Sequence, residues 1–343
     1  MASERIAVVG DGQMGLVCAA LLAQAPGVDE VRLWGHEPRA MEALAQTRVS
    51  ERLPGVRLSE RVRVTGEGAP ALEGATMAIS AVPTQFLRGV WGALARHAPE
   101  SGRCPVVSVT KGIENGTLLR PTQVIADVLR DHPDRAPRGL AVLSGPTIAA
   151  EMGRFLPATM VAASSDEALA RRVQALFSTS WLRIYTGDDP LGVEIAGATK
   201  NVIALAAGIL DGLHAGYNAK SALLARGLAE IARLGVAMGA SRETFFGLAG
   251  IGDLATTCFS PEGRNRSCGE ALGKGEGLAE YLGRAPGVVE GVATTRSVVA
   301  LAERFRVEMP ITQAVHAVLF EGTDPIDAIA RLMSRGPKAE RVG

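Results

Sequence analysis

The first half of the chain alternates short apolar runs with segments of helical periodicity. Continuous apolar runs bounded by turn residues are typical of strands buried on both faces of a sheet. The predicted strands are Arg5–Val9, Val31–Trp34, Arg61–Thr65, Thr76–Ala81, Pro105–Thr110, Leu140–Ser144, Ala158–Ala163 and Leu182–Tyr185. The predicted helices between them include Gly15–Ala25, Gln85–Arg96, Thr122–Arg130 and Glu167–Ser178. This alternation predicts an α/β domain with a mostly parallel sheet.

The pattern changes near Asp188, and no further strand is predicted beyond it. The predicted helices there are Gly192–Leu213, Lys220–Met238, Glu290–Arg306 and Thr312–Glu321. The segment Ile195–Leu210 is apolar nearly all round, so we expect it to be buried rather than amphipathic. We therefore predict an α/β domain over residues 1–187 and an all-α C-terminal domain over residues 188–343.

Length and composition support this division and exclude several classes of protein. A chain of 343 residues exceeds the size of a single hydrophobic core. Its formal net charge of zero provides no field for nucleic acid or an anionic membrane. The richest apolar run, Val202–Leu213, is too short for a membrane span and contains Asp211. Four cysteines without paired spacing and five scattered histidines predict a cytoplasmic protein with no bound metal.

A glycine-rich loop follows the first predicted strand and opens the first predicted helix. Gly10-Asp11-Gly12-Gln13-Met14-Gly15 fits G-x-G-x-x-G, in the strand–turn–helix context that gives the motif its meaning. A tight turn, close backbone approach and a helix N-terminus together suit a dinucleotide pyrophosphate. We therefore predict a Rossmann-like, dinucleotide-binding first domain, the alternative being a glycine turn that binds nothing. The predicted cofactor contacts in this loop are Gly10, Gly12, Gln13, Met14 and Gly15.

The end of the second strand leaves the choice between NAD and NADP open. An acid there usually accepts from the ribose 2′-hydroxyl and favours NAD, and Glu37 is in that position. His36 and Arg39 flank it and could instead bind the 2′-phosphate of NADP.

Two lysines are candidates for catalysis because of their positions. Lys111 follows a predicted strand, at the carboxyl edge of the sheet where α/β proteins bind ligands. Lys200 lies inside the most apolar helix, where burial and a second ammonium would lower its pKa and suit a general acid. The alternative is a lysine whose ammonium reaches solvent from the helix end.

A third polar segment combines glycine-rich turns with charged side chains, over 247–258 and 263–266. Arg264 or Arg266 offers a planar fork that matches a phosphate group. A solvated surface loop is the alternative. The residues that could share one pocket are Asp253, Thr257, Arg264, Asn265 and Arg266.

These segments together resemble the bacterial glycerol-3-phosphate dehydrogenase family over almost the whole chain. Their order and spacing make the resemblance far more specific than the glycine loop alone. The stretches that carry it are 109–113 (VTKGI), 143–151 (LSGPTIAAE), 197–204 (GATKNVIA), 218–230 (NAKSALLARGLAE), 247–258, 263–266 (GRNR), 289–292 (VEGV) and 308–312 (EMPIT).

The resemblance implies hydride transfer between NAD or NADP and the carbonyl of dihydroxyacetone phosphate, giving sn-glycerol 3-phosphate for phospholipid synthesis. It implies a homodimer, with Lys200 as proton donor and Lys111 contacting both substrate and nicotinamide. The implied substrate contacts are Lys111, Gly145, Thr147, Lys200, Asp253, Gly263, Arg264 and Asn265. The implied cofactor contacts beyond the glycine loop are His36, Lys111, Ala149, Arg264, Val288 and Glu290.

The departures from the family pattern lie mainly in the glycine loop. Family members commonly carry a small residue in place of Asp11 and Ser-Trp in place of Gln13-Met14. An acid beside a pyrophosphate is unfavourable unless it points away. Two alternatives remain at this stage: another β-hydroxyacid-type dehydrogenase, and a catalytically silent dinucleotide-binding sensor.

Overall fold

The structure is a computed structural model that describes residues 3–100, 102, 104–130, 138–337 and 339. It divides into two compact units, Met1–Thr110 with Pro121–Pro190, and Lys111–Arg120 with Leu191–Gly343. The sequence boundary assigns Lys111–Arg120 to the first domain, whereas these residues group with the second unit. The physical reason is that Ile113, which is fully buried, belongs to the second hydrophobic core.

The first unit is built on one eight-stranded sheet. Its strands are β1 (Glu4–Val9), β2 (Val28–Trp34), β3 (Val62–Thr65), β4 (Met77–Ser80), β5 (Val106–Ser108), β6 (Leu140–Ser144), β7 (Ala158–Ala163) and β8 (Leu182–Gly187). The order is β3-β2-β1-β4-β5-β6-β7-β8, and only the β6–β7 pair of this sheet is antiparallel. All eight predicted strands are present, and the predicted fold class is confirmed.

The helices of the first unit pack against this sheet and against one another. They are α1 (Gln13–Leu22), α2 (Pro38–Thr47), α3 (Gly68–Leu72), α4 (Thr84–Leu94), α5 (Pro121–Leu129), α6 (Ala149–Met152) and α7 (Glu167–Phe177), with a 3-10 turn at Ala95–His97. Helix α1 contacts α6 and α7, while α4 contacts α5. The sequence pattern does not predict α2, α3 or α6.

The second unit contains helices and, among its described residues, no strand. They are α8 (Pro190–Gly212), α9 (Gly216–Ala237), α10 (Arg242–Phe245), a π-helical turn (Leu248–Gly252), α11 (Asp253–Phe259), α12 (Arg264–Gly273), α13 (Leu278–Arg284), α14 (Glu290–Phe305), α15 (Pro310–Phe320) and α16 (Pro325–Met333). Helix α8 is the central element, since 19 of its residues are buried.

Helix α8 is longer than the apolar run seen in the sequence. By length and composition its 23 residues could cross a membrane, which corrects the expectation that no segment reaches that length. However, 89% of its most apolar window is buried inside the protein. A helix that is apolar all round and buried is a core helix, as the sequence predicts for Ile195–Leu210.

Glycines allow α8 and α12 to pack at very short range. A Cβ on Gly208 would lie 1.9 Å from the carbonyl oxygen of Arg266, and one on Gly269 would lie 2.0 Å from that of Leu205. Any larger residue would force the two helices apart. This packing fixes the N-terminal end of α12, which carries Arg264 and Asn265.

Candidate active site

The glycine loop between β1 and α1 has the geometry that a dinucleotide needs. Gly10 has φ +116°, and a Cβ there would lie 2.7 Å from the Ala81 carbonyl oxygen. A Cβ on Gly15 would lie 1.9 Å from the Gly10 carbonyl oxygen, so the helix packs directly on the turn. A Cβ on Gly12 would meet nothing within 4 Å. That open space lies next to the first turn of α1, whose N–H groups have no helical acceptors. The loop therefore fits a pyrophosphate.

The unusual acid of this loop is paired. Asp11 is only 6% exposed, and its carboxylate accepts a hydrogen bond from Arg52. The Nδ1 atom of His36 lies 4.0 Å from its Oδ1 atom. The carboxylate packs against Gly35, where a Cβ would lie 2.9 Å from the Asp11 Cγ atom. Asp11 thus brings a guanidinium to the end of β2, a contact that the sequence pattern does not reveal.

In the second unit, two lysines converge on one buried carboxylate. Lys111 donates to the Oδ2 atom of Asp253, and Lys200 donates to its Oδ1 atom, both at 2.6 Å. Asp253 is 1% exposed and opens α11, while Lys200 is 6% exposed in the middle of α8. Lys200 therefore does not reach solvent from a helix end. A single carboxylate holds both ammonium groups in one small volume.

The surroundings of Lys200 tune its ionisation. Thr257 donates to the backbone carbonyl of Asp253 at 2.8 Å, so its hydroxyl oxygen accepts from Lys200. Burial lowers the pKa of Lys200 to about 8, against the attraction of Asp253, and the charge of Lys111 acts in the same direction as burial. Asp253 and Thr257 accept two of its three hydrogens. The ammonium is therefore poised to give up a proton near neutral pH.

Two asparagines form a fixed hydrogen-bonded chain beside this cluster. The Gly291 backbone N–H donates to Asn265 Oδ1 at 2.9 Å, which identifies that atom as the oxygen. Asn265 Nδ2 then donates to Asn201 Oδ1 at 2.9 Å. The Nδ2 atom of Asn201 is buried and has no acceptor among the described residues. An oxygen-rich ligand would satisfy this donor.

Arg264 and Arg266 have different surroundings, which favours Arg264 as the candidate phosphate ligand. Arg266 Nε donates to Asp211 at 2.6 Å, in a cluster that also holds Lys220. Arg264 is exposed, and its guanidinium donates to the Val288 carbonyl at 2.9 Å. Its remaining donors can bind an anion. Both arginines lie at the N-terminus of α12, but the Arg266 guanidinium is paired with Asp211, whereas that of Arg264 keeps donors for an anion.

Glu290 completes the polar group at the start of α14. Burial raises the pKa of its carboxyl group, while the charges of Arg264, Lys111 and Lys200 oppose that rise. Its position next to Gly291 ties it to the asparagine chain. The resemblance assigns Val288 and Glu290 together, and the structure places both near Arg264.

The other residues implied by the resemblance lie in the first unit, after β6. Gly145 has φ +157°, and a Cβ there would lie 2.7 Å from the Thr159 carbonyl oxygen. Thr147 Oγ1 donates to the Gly145 carbonyl at 3.2 Å, and Ala149 begins α6. The turn at Gly145 begins the connection, which includes α6, between β6 and the antiparallel strand β7.

Comparisons with known proteins identify the family of the chain. The family described as NAD-dependent glycerol-3-phosphate dehydrogenase matches through its N-terminus at residues 5–170 and its C-terminus at residues 189–330. A glycerol-3-phosphate dehydrogenase [NAD(P)+] of Geobacter sulfurreducens is 47% identical over 341 residues, covering 99% of both chains. One of Thermobifida fusca is 45% identical over 340 residues, with the same coverage.

A solved structure extends the similarity to three dimensions. The glycerol-3-phosphate dehydrogenase of Coxiella burnetii superposes with a TM-score of 0.90 at 34% identity, covering 97% of this chain and 99% of its own. Sequence and fold thus agree over both units. The chain belongs to the NAD-dependent glycerol-3-phosphate dehydrogenase family.

Proposed function

We propose that the chain catalyses the reversible reduction of dihydroxyacetone phosphate to sn-glycerol 3-phosphate with NADH or NADPH. The observation that carries this proposal is the pair Lys111 and Lys200 on the Asp253 carboxylate, next to the unpaired donor of Asn201. A carbonyl reduction needs a proton donor and a positive charge at the developing alkoxide, and this cluster supplies both.

Lys200 is the proton donor of the proposed reaction. The reduced nicotinamide, when bound, supplies hydride to the carbonyl carbon. Lys200 gives its third hydrogen to the carbonyl oxygen, and in the reverse direction the neutral amine takes that proton back. A pKa of about 8 makes both forms accessible near neutral pH. Positioned acid catalysis of this kind contributes about 10²–10⁴-fold in rate.

Lys111 and Asp253 support that transfer electrostatically. Lys111 places its ammonium next to the reacting oxygen, where alkoxide character develops. Asp253 holds the two ammonium groups at fixed positions despite their mutual repulsion. Thr257 accepts from Lys200 and so restricts the direction of its remaining hydrogen.

The substrate phosphate is assigned to the N-terminus of α12. Arg264 is the exposed guanidinium there, with Gly263 and Asn265 beside it. A helix N-terminus favours an anion, and a guanidinium binds phosphate in bidentate fashion. We assign Asn201 Nδ2 to a substrate oxygen, with Gly145 and Thr147 as further contacts. Binding energy from the phosphate then orients the carbonyl.

The dinucleotide is assigned to the glycine loop and to a few residues beyond it. The open space at Gly12 and the start of α1 would hold the pyrophosphate through the backbone of Gln13 and Met14. His36 would contact the adenosine ribose. The further assigned cofactor contacts are Lys111, Ala149, Arg264, Val288 and Glu290.

A spectrophotometric assay tests the proposal. The oxidation of NADH or NADPH is followed with dihydroxyacetone phosphate, and with unphosphorylated dihydroxyacetone as the matched control substrate. We expect turnover with the phosphate ester and little with the control. Lys200→Ala should abolish turnover while dinucleotide binding stays close to wild type. Equal use of both substrates, or normal turnover by Lys200→Ala, contradicts the proposal.

We further propose a cytoplasmic homodimer that supplies glycerol phosphate for phospholipid synthesis. The support is the family resemblance, together with the absence of paired cysteines among the four, all of which are buried thiols. Light scattering at working concentration tests the dimer, and a monomeric mass would contradict it.

A further inference from the structure

We propose that the buried ion pair between Arg120 and Glu194 is a positioning device that holds Lys111 in the active site. This inference rests on the proposed function, in which Lys111 stabilises the alkoxide. Arg120 closes the segment that Lys111 opens, and it donates to Glu194. The effect of this ion pair on the reaction would therefore pass through the segment Lys111–Arg120.

The segment Lys111–Arg120 leaves the sheet after β5 and groups with the helical unit. It is closed by its own backbone hydrogen bonds, Leu118 to the Glu114 carbonyl and Glu114 to the Leu119 carbonyl, both at 3.0 Å. Gly112 has φ +143°, which turns the chain directly after Lys111. The segment is thus a compact loop with Lys111 at one end and Arg120 at the other.

Helix α8 anchors the Arg120 end of this loop. Arg120 donates to the carboxylate of Glu194, whose side chain is fully buried, while that of Arg120 is 14% exposed. Glu194 lies in the same helix as Lys200, about 9 Å away along the axis at the usual helical rise. One rigid helix therefore carries the proton donor and the anchor of the loop that delivers the second lysine.

Helix α14 anchors the middle of the loop. Ser297 Oγ lies 3.1 Å from the Ile113 carbonyl, to which it donates, and 2.5 Å from Asn115 Oδ1. The Ile113 side chain is buried in the second core. Four contacts thus fix the loop on this unit, namely the Arg120–Glu194 pair, the two contacts of Ser297 and the buried Ile113 side chain. The fifth is the Lys111–Asp253 ion pair itself.

A buried ion pair contributes little net stability compared with apolar packing, but it is costly to break on one side. The presence of this ion pair at an otherwise apolar helix is best explained if it holds the loop in position. Displacement of a charged group by about 1 Å can reduce turnover by about 10²-fold. Loss of the Glu194 charge should therefore impair the reaction even though Glu194 does not contact the substrate.

The test uses Glu194→Gln, Ser297→Ala as a milder second variant, and Glu4→Gln as the matched control. Glu4 forms a bidentate ion pair with Arg172 in the first unit, outside the proposed machinery. We expect kcat to fall about 10- to 100-fold in Glu194→Gln and less in Ser297→Ala. The dissociation constant for dinucleotide should stay unchanged, as should kcat of the control.

A double mutant separates positioning from a general loss of structure. In a Lys111→Ala background, Glu194→Gln should cause no further fall in kcat, because the residue it positions is gone. Hydrogen exchange of the peptide 111–120 should rise in Glu194→Gln, whatever the reaction proves to be. Equal falls in both backgrounds, or faster exchange without any loss of kcat, would overturn the inference. An inactive wild-type protein would instead refute the proposed function. The hydrogen-exchange result alone would then test whether the Arg120–Glu194 pair holds the loop in place.

Discussion

Lys111 and Lys200 come from distant parts of the chain, yet they occupy the two oxygens of the same Asp253 carboxylate at 2.6 Å. The geometry makes each ammonium part of the other's environment. Lys111 favours loss of the proton from Lys200, whereas Asp253 opposes it. The acidity of Lys200 is therefore a property of the whole cluster, and it can be changed in either direction.

The first prediction is the pH dependence of the wild-type reaction. In the proposed reaction, carbonyl reduction needs the protonated form of Lys200, whose pKa is lowered to about 8. The rate of carbonyl reduction should therefore fall as pH rises through about 8. The rate of alcohol oxidation, which needs the neutral amine, should rise through the same range. Steady-state kcat/KM in both directions measures this, and parallel pH profiles would contradict the assignment.

The second prediction concerns the two neighbours of Lys200. Removing a nearby cation in Lys111→Ala should raise the pKa of Lys200 and move the reduction limb to higher pH. Removing the carboxylate charge in Asp253→Asn should lower that pKa and move the limb to lower pH. Both variants should be slow, so the residual rates are followed with long assays. If both substitutions shifted the pH profile in the same direction, the fall in the reduction rate at high pH would not reflect the ionisation of Lys200.

The third prediction concerns the phosphate ligand. Arg264→Ala should raise KM for dihydroxyacetone phosphate and also lower kcat, because the binding energy of the phosphate orients the carbonyl. Arg266→Ala is the control. Its guanidinium pairs with Asp211 instead, so this change should affect stability more than KM. An unchanged KM in Arg264→Ala would show that Arg264 does not bind the substrate phosphate.

Much of this arrangement follows from local sequence, while the rest depends on contacts between distant elements. The eight strands are visible because buried parallel strands are continuously apolar. The antiparallel direction of β7 is not visible, since an apolar run has the same pattern in either direction. Helix α12 is not among the predicted helices, and the role of its Gly269, which permits close packing on α8, depends on a distant contact.

The candidate site shows the same division. Lys111 and Lys200 stand out as polar residues next to apolar segments, and family resemblance points to Asp253. The sequence cannot distinguish Arg264 from Arg266 as a phosphate ligand, because both flank the same asparagine. The distinction depends on Asp211, which lies on α8 and accepts a hydrogen bond from Arg266. Long-range pairing of this kind has no local signal.

The fourth prediction concerns Glu230, a buried acid that connects two of the stretches that resemble the family, 218–230 and 308–312. Glu230 accepts from the backbone N–H groups of Ile311 and Thr312 at 2.7 and 3.2 Å, which caps the start of α15. It also lines an apolar cavity of about 930 Å³. Burial raises its pKa to about 7, although these hydrogen bonds oppose that rise.

A carboxyl group whose pKa is raised on folding binds more protons in the folded state. The free energy of unfolding should therefore fall as pH rises from about 4.5 to about 7, by at most about 3 kcal/mol, and then level off. Glu230→Gln should remove this slope. At low pH it should lower stability, because one backbone N–H loses its acceptor, whereas above about pH 7 the removed cost of a buried carboxylate should offset that loss. Denaturant titrations across this pH range measure both effects. The exposed Glu303 on α14 supplies the control, Glu303→Gln, which should keep the slope.

The last prediction concerns cofactor preference, where charges of both signs meet at the end of β2. Glu37, His36 and Arg39 are exposed, and Arg52 is tethered there by Asp11. An ionised Glu37 would accept from the 2′-hydroxyl of NADH and repel the 2′-phosphate of NADPH. Arg39, and Arg52 if it leaves Asp11, would bind that phosphate.

Because exposed side chains can rotate toward or away from the ribose, neither cofactor should be strongly excluded. We expect both NADH and NADPH to be used, with a preference within about tenfold, or about 1.4 kcal/mol. Arg39→Ala and Arg52→Ala should weaken NADPH more than NADH, and Glu37→Ala should do the opposite. Steady-state kinetics with both cofactors on these variants and the wild type measures the preference. A wild-type preference of several hundredfold, or equal effects of all three substitutions on both cofactors, would mean that selectivity is set elsewhere in the first unit.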